Sequence, residues 1–76
     1  MRILQKKVEI TTPYITLGQF LKLADIVDSG GMVKSFLREH DLTVNQEQEN
    51  RRGRKLYPND VVHVNCKSYT IVSKRE

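Results

Sequence analysis

A chain of 76 residues has room for one domain and no more. Lysine and arginine total 13 against 9 acids, a net charge of +4, and apolar residues make up 38% of the chain, below the usual share of about 45–50%. No apolar run exceeds two residues, which excludes a transmembrane helix and a signal-peptide core. The single Cys66 excludes an internal disulfide and a cysteine-rich zinc knuckle. The expectation is one soluble, mildly basic, cytoplasmic domain.

The chain opens with a basic lead-in, Met1 to Lys7, followed by Val8-Glu9-Ile10, whose alternation predicts a short half-buried strand. Thr11-Thr12-Pro13 interrupts it. Thr16 and Gln19 have the spacing of a capping box, and Leu17, Phe20, Leu21, Ala24 and Val27 follow at helical spacing, so a helix is predicted from Leu17 to Val27. Ser29-Gly30-Gly31 breaks it. A glycine there is expected to end the first helix in the left-handed conformation, and Ser29 to cap the second. That second helix is predicted from Gly31 to Glu39. Val33, Phe36 and Leu37 face inward, and Lys34 and Arg38 share one outer side.

Leu42-Thr43-Val44 alternates as a strand, and Asn45-Gln46 reads as a tight turn. From Glu47 to Lys55 there is no apolar residue. This stretch is expected to be a solvated loop or an edge ribbon. Leu56 to Asp60 forms a turn. Val61 to Val64 and Ser68 to Val72 are β-rich runs joined by Asn65-Cys66-Lys67. The resulting class is α+β, two short adjacent helices packed on a small antiparallel sheet. Leu17, Phe20, Leu21, Ala24, Val33, Phe36, Leu37, Val44, Val62 and Val64 are the expected core.

Catalytic arrangements are missing from the pattern. His40 and His63 lie far apart with no third ligand, Cys66 has no activating neighbour in sequence, and no nucleophile elbow occurs. Neither an enzyme nor a cofactor nor a small-molecule substrate is expected. The strongest signal is Arg51-Arg52-Gly53-Arg54-Lys55, four cations around a glycine. Arginine's planar fork binds phosphate at two points, so this run suits a phosphate backbone. The competing reading is a solvated charged loop, which the acids Glu47 and Glu49 favour slightly. Lys34 and Arg38 add weight only if their helix lies beside that loop. Ser29-Gly30-Gly31 offers free N–H groups to an anion, although a cap and linker account for it more simply. Tyr14, Tyr57 and Tyr69 form no aromatic ladder for a single strand, which favours folded RNA recognised by shape and phosphate.

From Tyr14 to Val64 the chain resembles the S-four RNA-binding domain, also called the αL motif. The carriers are Leu17-Gly18-Gln19-Phe20-Leu21-Lys22, Ser29 with Lys34 and Leu37, Leu42-Thr43-Val44-Asn45, and Asp60-Val61-Val62-His63-Val64. Thr16 to Lys22, Ser29-Gly30-Gly31 and the string Glu49-Asn50-Arg51-Arg52-Gly53-Arg54-Lys55-Leu56 are similar to its small stand-alone branch, the YaaA/YbcJ-like proteins of bacteria. The resemblance implies a core at 14–64, with 1–10 and 66–76 adding flanking strands and Lys74-Arg75 adding charge. It also implies binding of structured RNA, ribosomal in kind, and a ribosome-assembly role, the ribosomal subunit being a partner. Lys34, Arg38, Arg51, Arg52, Arg54 and Lys55 would meet the phosphates. Asn45 would cap the turn or touch a 2′-hydroxyl, and Asp60 would close a turn. Many relatives have Arg after the helix-opening Ser, where this chain has Gly30, so that work passes to Lys34. Relatives often have glycine where His40, Gln46 and Asn59 stand, which implies positive φ at those three. No membrane contact is expected. A different reading is a protein-interaction adaptor that pairs an edge strand from residues 1–4 or 69–72 with another chain. Double-stranded DNA would need a longer reading helix than this one.

Overall fold

The computed structural model describes residues 4–74. Arg2, Arg75 and most of the 1–4 segment of the adaptor reading lie outside the described residues. Ten elements follow in order: β1 (Leu4–Ile10), β2 (Ile15–Thr16), α1 (Leu17–Leu23), a 3₁₀ turn (Gly30–Met32), α2 (Val33–Glu39), β3 (Leu42–Val44), β4 (Glu47–Gln48), β5 (Lys55–Leu56), β6 (Val61–Val64) and β7 (Lys67–Ser73).

Five strands make one sheet in the order β1-β7-β6-β3-β4, and β2 pairs with β5 in a separate two-stranded ribbon. The α+β architecture of two short helices on a small sheet is the one expected. Its sheet is mixed: β6–β7, β3–β6 and β3–β4 are antiparallel, whereas β1 runs parallel to β7, with Val8 opposite Ile71. Residues 69–72, a proposed edge of the adaptor reading, sit in β7: all four pair with β1, Tyr69 and Thr70 pair also with β6, and Ile71 bonds to the backbone of Asn59 and Asp60, so they offer no open edge.

One face of the sheet is apolar because inward residues alternate along each strand. Val44, Val62 and Tyr69 stand in register across three strands, and Leu42, Val64 and Ile71 join them in the core. Leu17, Phe20 and Leu21 of α1 and Val33 and Leu37 of α2 cover this face. Phe20, fully buried, meets Tyr69 edge-on with ring centroids 5.3 Å apart, the favoured geometry for aromatic quadrupoles. Ala24 and Phe36, expected in the core, are only partly buried against it.

The first helix is shorter than its apolar spacing predicts. It ends at Leu23 rather than Val27, because Asp25 turns left-handed at φ 62°. The Asp25 N–H donates to Lys22 O at 3.0 Å and the Ile26 N–H to Leu21 O at 2.9 Å, the two bonds of a Schellman cap. Ile26 packs on the core just after the cap. The expected left-handed glycine stop is therefore wrong; no glycine has positive φ among the described residues. Ser29 is extended and makes no side-chain cap bond, so the expected serine cap is also absent. The second helix begins instead as a 3₁₀ turn that runs into α2. The capping box at Thr16 and Gln19 forms as predicted.

Of the three sites expected at positive φ, Gln46 (72°) and Asn59 (80°) adopt it, while His40 ends α2 in extended backbone at −125°. Asn45-Gln46 and Asn65-Cys66 are both two-residue hairpin loops with positive φ at each position, the signature of a type I′ turn. Gln46 holds this conformation against a Cβ clash that glycine lacks, a cost of about 1–2 kcal/mol. Offset by the greater freedom of glycine in the unfolded chain, Gln46→Gly is expected to stabilise the fold by about 0.5–1 kcal/mol. In a domain of this size that raises Tm by several degrees, about 4–8 °C per kcal/mol. Thermal unfolding checks it.

Candidate nucleic-acid interface

The 49–54 segment has no apolar side chain with which to hold itself down, yet it is fixed. Glu49 is buried, 7% exposed, which corrects the picture of a wholly solvated loop. Its carboxylate is the hub. Oε2 accepts from the Arg51 Nε at 2.9 Å and from the backbone N–H groups of Asn50 and Arg51. Oε1 accepts from Arg51 Nη2 at 3.2 Å and Arg54 Nη1 at 2.7 Å. The Arg51 fork and the Arg54 guanidinium hold the Glu49 carboxyl down at about 2, against 4.5 ordinarily, with burial opposing them.

The same segment caps α1. The Leu17 N–H donates to Arg54 O at 2.8 Å and the Gly18 N–H to Arg52 O at 2.9 Å. Thr16 Oγ1 takes the Gln19 N–H and Gln19 Oε1 takes the Thr16 N–H. All four donors from Thr16 to Gln19 at the start of α1 are thus satisfied inside the chain. The loop that carries the cations is consequently moored to the helix start by its carbonyls, leaving its side chains to point elsewhere.

The predicted site residues separate into three groups. Lys34 and Arg38 of α2 and Arg52 of the loop line one open groove of about 380 Å³, together with Leu37 and Asn50. The helix and the loop do lie side by side. Among the described residues the only ion pairs are the two at Glu49, so these three cations are unpaired. Arg51 and Arg54 form the second group. Both bind Glu49, Arg51 with its side chain 75% exposed and Arg54 with 28%, so the trio carries one net positive charge rather than two.

Lys55 and Asn45 stand apart. Lys55 Nζ lies over the Tyr14 ring, 5.0 Å from its centroid. Asn45 donates from Nδ2 to Asp60 Oδ1 and accepts at Oδ1 from the Val61 N–H. It therefore ties the β3–β4 turn to β6. Asp60 closes the 57–60 turn by accepting from the Tyr57 N–H at 2.8 Å, as expected.

Two contributors went unnoticed in the sequence. Asn50 sits in the groove, within the string that carries the resemblance but with no site role expected of it. Lys22 lines a second shallow cavity, about 320 Å³, with Gly30, Arg52 and Gly53. A Cβ built on Gly30 would stand 3.8 Å from Lys22 Nζ. At the position where the resemblance leads one to expect arginine, a cation thus arrives from α1. Its signal is the position of Lys22 in the last turn of α1, which ends four residues before the apolar spacing predicts.

Comparison with known proteins identifies the family. The S4 domain family matches residues 8–72, well over half of the chain. A curated protein of Bacillus subtilis (strain 168), described as a probable ribosome maturation protein RlbA, is 63% identical over 57 residues, covering 75% of this chain and 80% of that protein. No solved structure matches. A groove between a basic short helix and a basic loop, on a fold of two helices and a small sheet, is thus carried by a chain that belongs to the S4 domain family.

Proposed function

We propose that this protein binds structured RNA, ribosomal RNA in particular, and catalyses no reaction. The cations of the α2–loop groove would neutralise successive phosphates. The observation that carries this reading is the convergence of Lys34, Arg38 and Arg52 on one groove with no acid bound to any of them. Arg51 contributes through the exposed part of its guanidinium. Arg54 acts by holding the loop. Asn45 in the β3–β4 turn and Lys55 in β5 would meet a backbone that extends past the groove. The name of the Bacillus relative, a probable ribosome maturation protein, supports a role in the maturation of a ribosomal subunit in the cytoplasm. The described helices include none long and apolar enough to cross a membrane.

Titration of the wild-type protein against a structured ribosomal RNA fragment tests the reading. The three groove cations alone predict that log K falls against log salt with a slope of about −2 to −3, and Arg51 and Lys55 steepen it. A single strand of the same length is expected to bind more weakly, since the groove offers cations and no stacking ladder. An affinity indifferent to salt, or equal for both RNAs, overturns the proposal.

A further inference from the structure

Tyr14 and Tyr57 are far apart in the sequence and adjacent in space. The antiparallel register of β2 with β5 puts Ile15 opposite Leu56, so the next residues outward on each strand meet. Their rings lie 5.6 Å apart at 45°, and both are exposed, Tyr14 by 39% and Tyr57 by 47%. Isolated exposed tyrosines are ordinary. Two in contact, with a lysine ammonium held over one of them, make a combination suited to a base and its phosphate. Lys55 occupies a face of Tyr14, which leaves Tyr57 as the more open ring.

This aromatic corner is continuous with the cationic groove. Thr16 and Gln19 line a shallow cavity of about 710 Å³ that includes Tyr14, and they also line the one that Arg52 and Gly53 share. Arg52 in turn lines the groove with Lys34 and Arg38. A nucleic acid lying on Arg52 can therefore reach the tyrosines without leaving the surface. Inside a duplex the base faces are stacked on one another, so an aromatic ring at the margin is useful only to a base that is unpaired.

We propose that Tyr57 stacks an unpaired base while Lys55 meets that nucleotide's phosphate. The preferred ligand is then an RNA helix that carries an unpaired nucleotide at its end, not a blunt helix. Tyr14 is a positioning residue that holds Lys55. This inference rests on the RNA-binding reading above and adds the class of RNA.

The test uses one hairpin RNA in three forms: blunt, with a two-nucleotide 5′ tail, and with a two-nucleotide 3′ tail, the tails carrying 2-aminopurine. Wild-type protein is expected to bind one tailed form about 10-fold tighter than the blunt form, with quenching of the 2-aminopurine. Tyr57→Leu is expected to bind blunt and tailed forms alike, with the affinity of wild type for the blunt one. Tyr57→Phe keeps both the preference and the quenching. If wild type binds all three forms equally and with steep salt dependence, the stacking proposal is overturned while the RNA-binding reading stands. If it binds none of them, both fall. If Tyr57→Leu keeps the tail preference, the assignment to Tyr57 is wrong.

Discussion

Glu49→Gln is expected to lower the unfolding free energy by about 2 kcal/mol at neutral pH and to flatten its pH dependence in acid. The carboxyl is held at about 2 in the folded chain against 4.5 ordinarily. A group depressed in this way stabilises the fold fully above its unfolded value, and that contribution is lost as pH falls from 4.5 through about 2. The whole shift corresponds to about 3 kcal/mol, and the exposure of the Arg51 side chain screens part of it. Glutamine keeps an acceptor for the Asn50 and Arg51 N–H groups but loses both ion pairs. Urea unfolding of wild type and variant at about pH 7 and pH 2.5 checks this, with the two stabilities converging at the lower pH. Parallel pH profiles would show that Glu49 is not the anchor.

The second large effect concerns binding. Lys34→Ala, Arg38→Ala and Arg52→Ala combined are expected to weaken structured-RNA affinity about 100-fold near 0.1 M salt, since each neutralised phosphate contributes close to one unit of salt slope. The slope itself should become shallower by about 2 to 3 units, with the remainder due to Arg51 and Lys55. Stability should hardly move, because all three side chains are exposed and none makes an ion pair among the described residues. Arg54→Ala should behave in the opposite way. Its side chain is largely covered and its guanidinium bonds Glu49, so the loss is expected in stability, about 1–2 kcal/mol, with RNA slope retained. Equilibrium unfolding and salt-dependent RNA titration on wild type and these two variants separate the two roles.

These opposite expectations for neighbouring arginines mark where sequence reading succeeds and where it stops. Periodicity located α2, β3 and β6, and the capping box located the start of α1, because those signals are local. The pairing of Lys34 with Arg38 was equally visible. Glu49 was not, since an acid beside a basic run reads as a weakening of its charge. Only the folded loop shows that the acid organises that run. The end of α1 was hidden for a different reason: aspartate can serve where glycine is expected, and here it does at Asp25. Tyr14 and Tyr57 gave no joint signal because their proximity depends on a two-residue strand pair. The parallel partnership of β1 and β7 joins segments more than sixty positions apart, which no local pattern encodes.

That partnership governs how the molecule is made. β7 is the seam between β1 and β6, and it follows the other described strands in the chain. Until residues 67–73 have left the exit channel of the translating ribosome, β1 has no neighbour and its apolar row stays wet. Long-range closure of this kind is slow compared with helix formation. The nascent chain must therefore carry its helices and basic loop for some time before the sheet that supports them is complete.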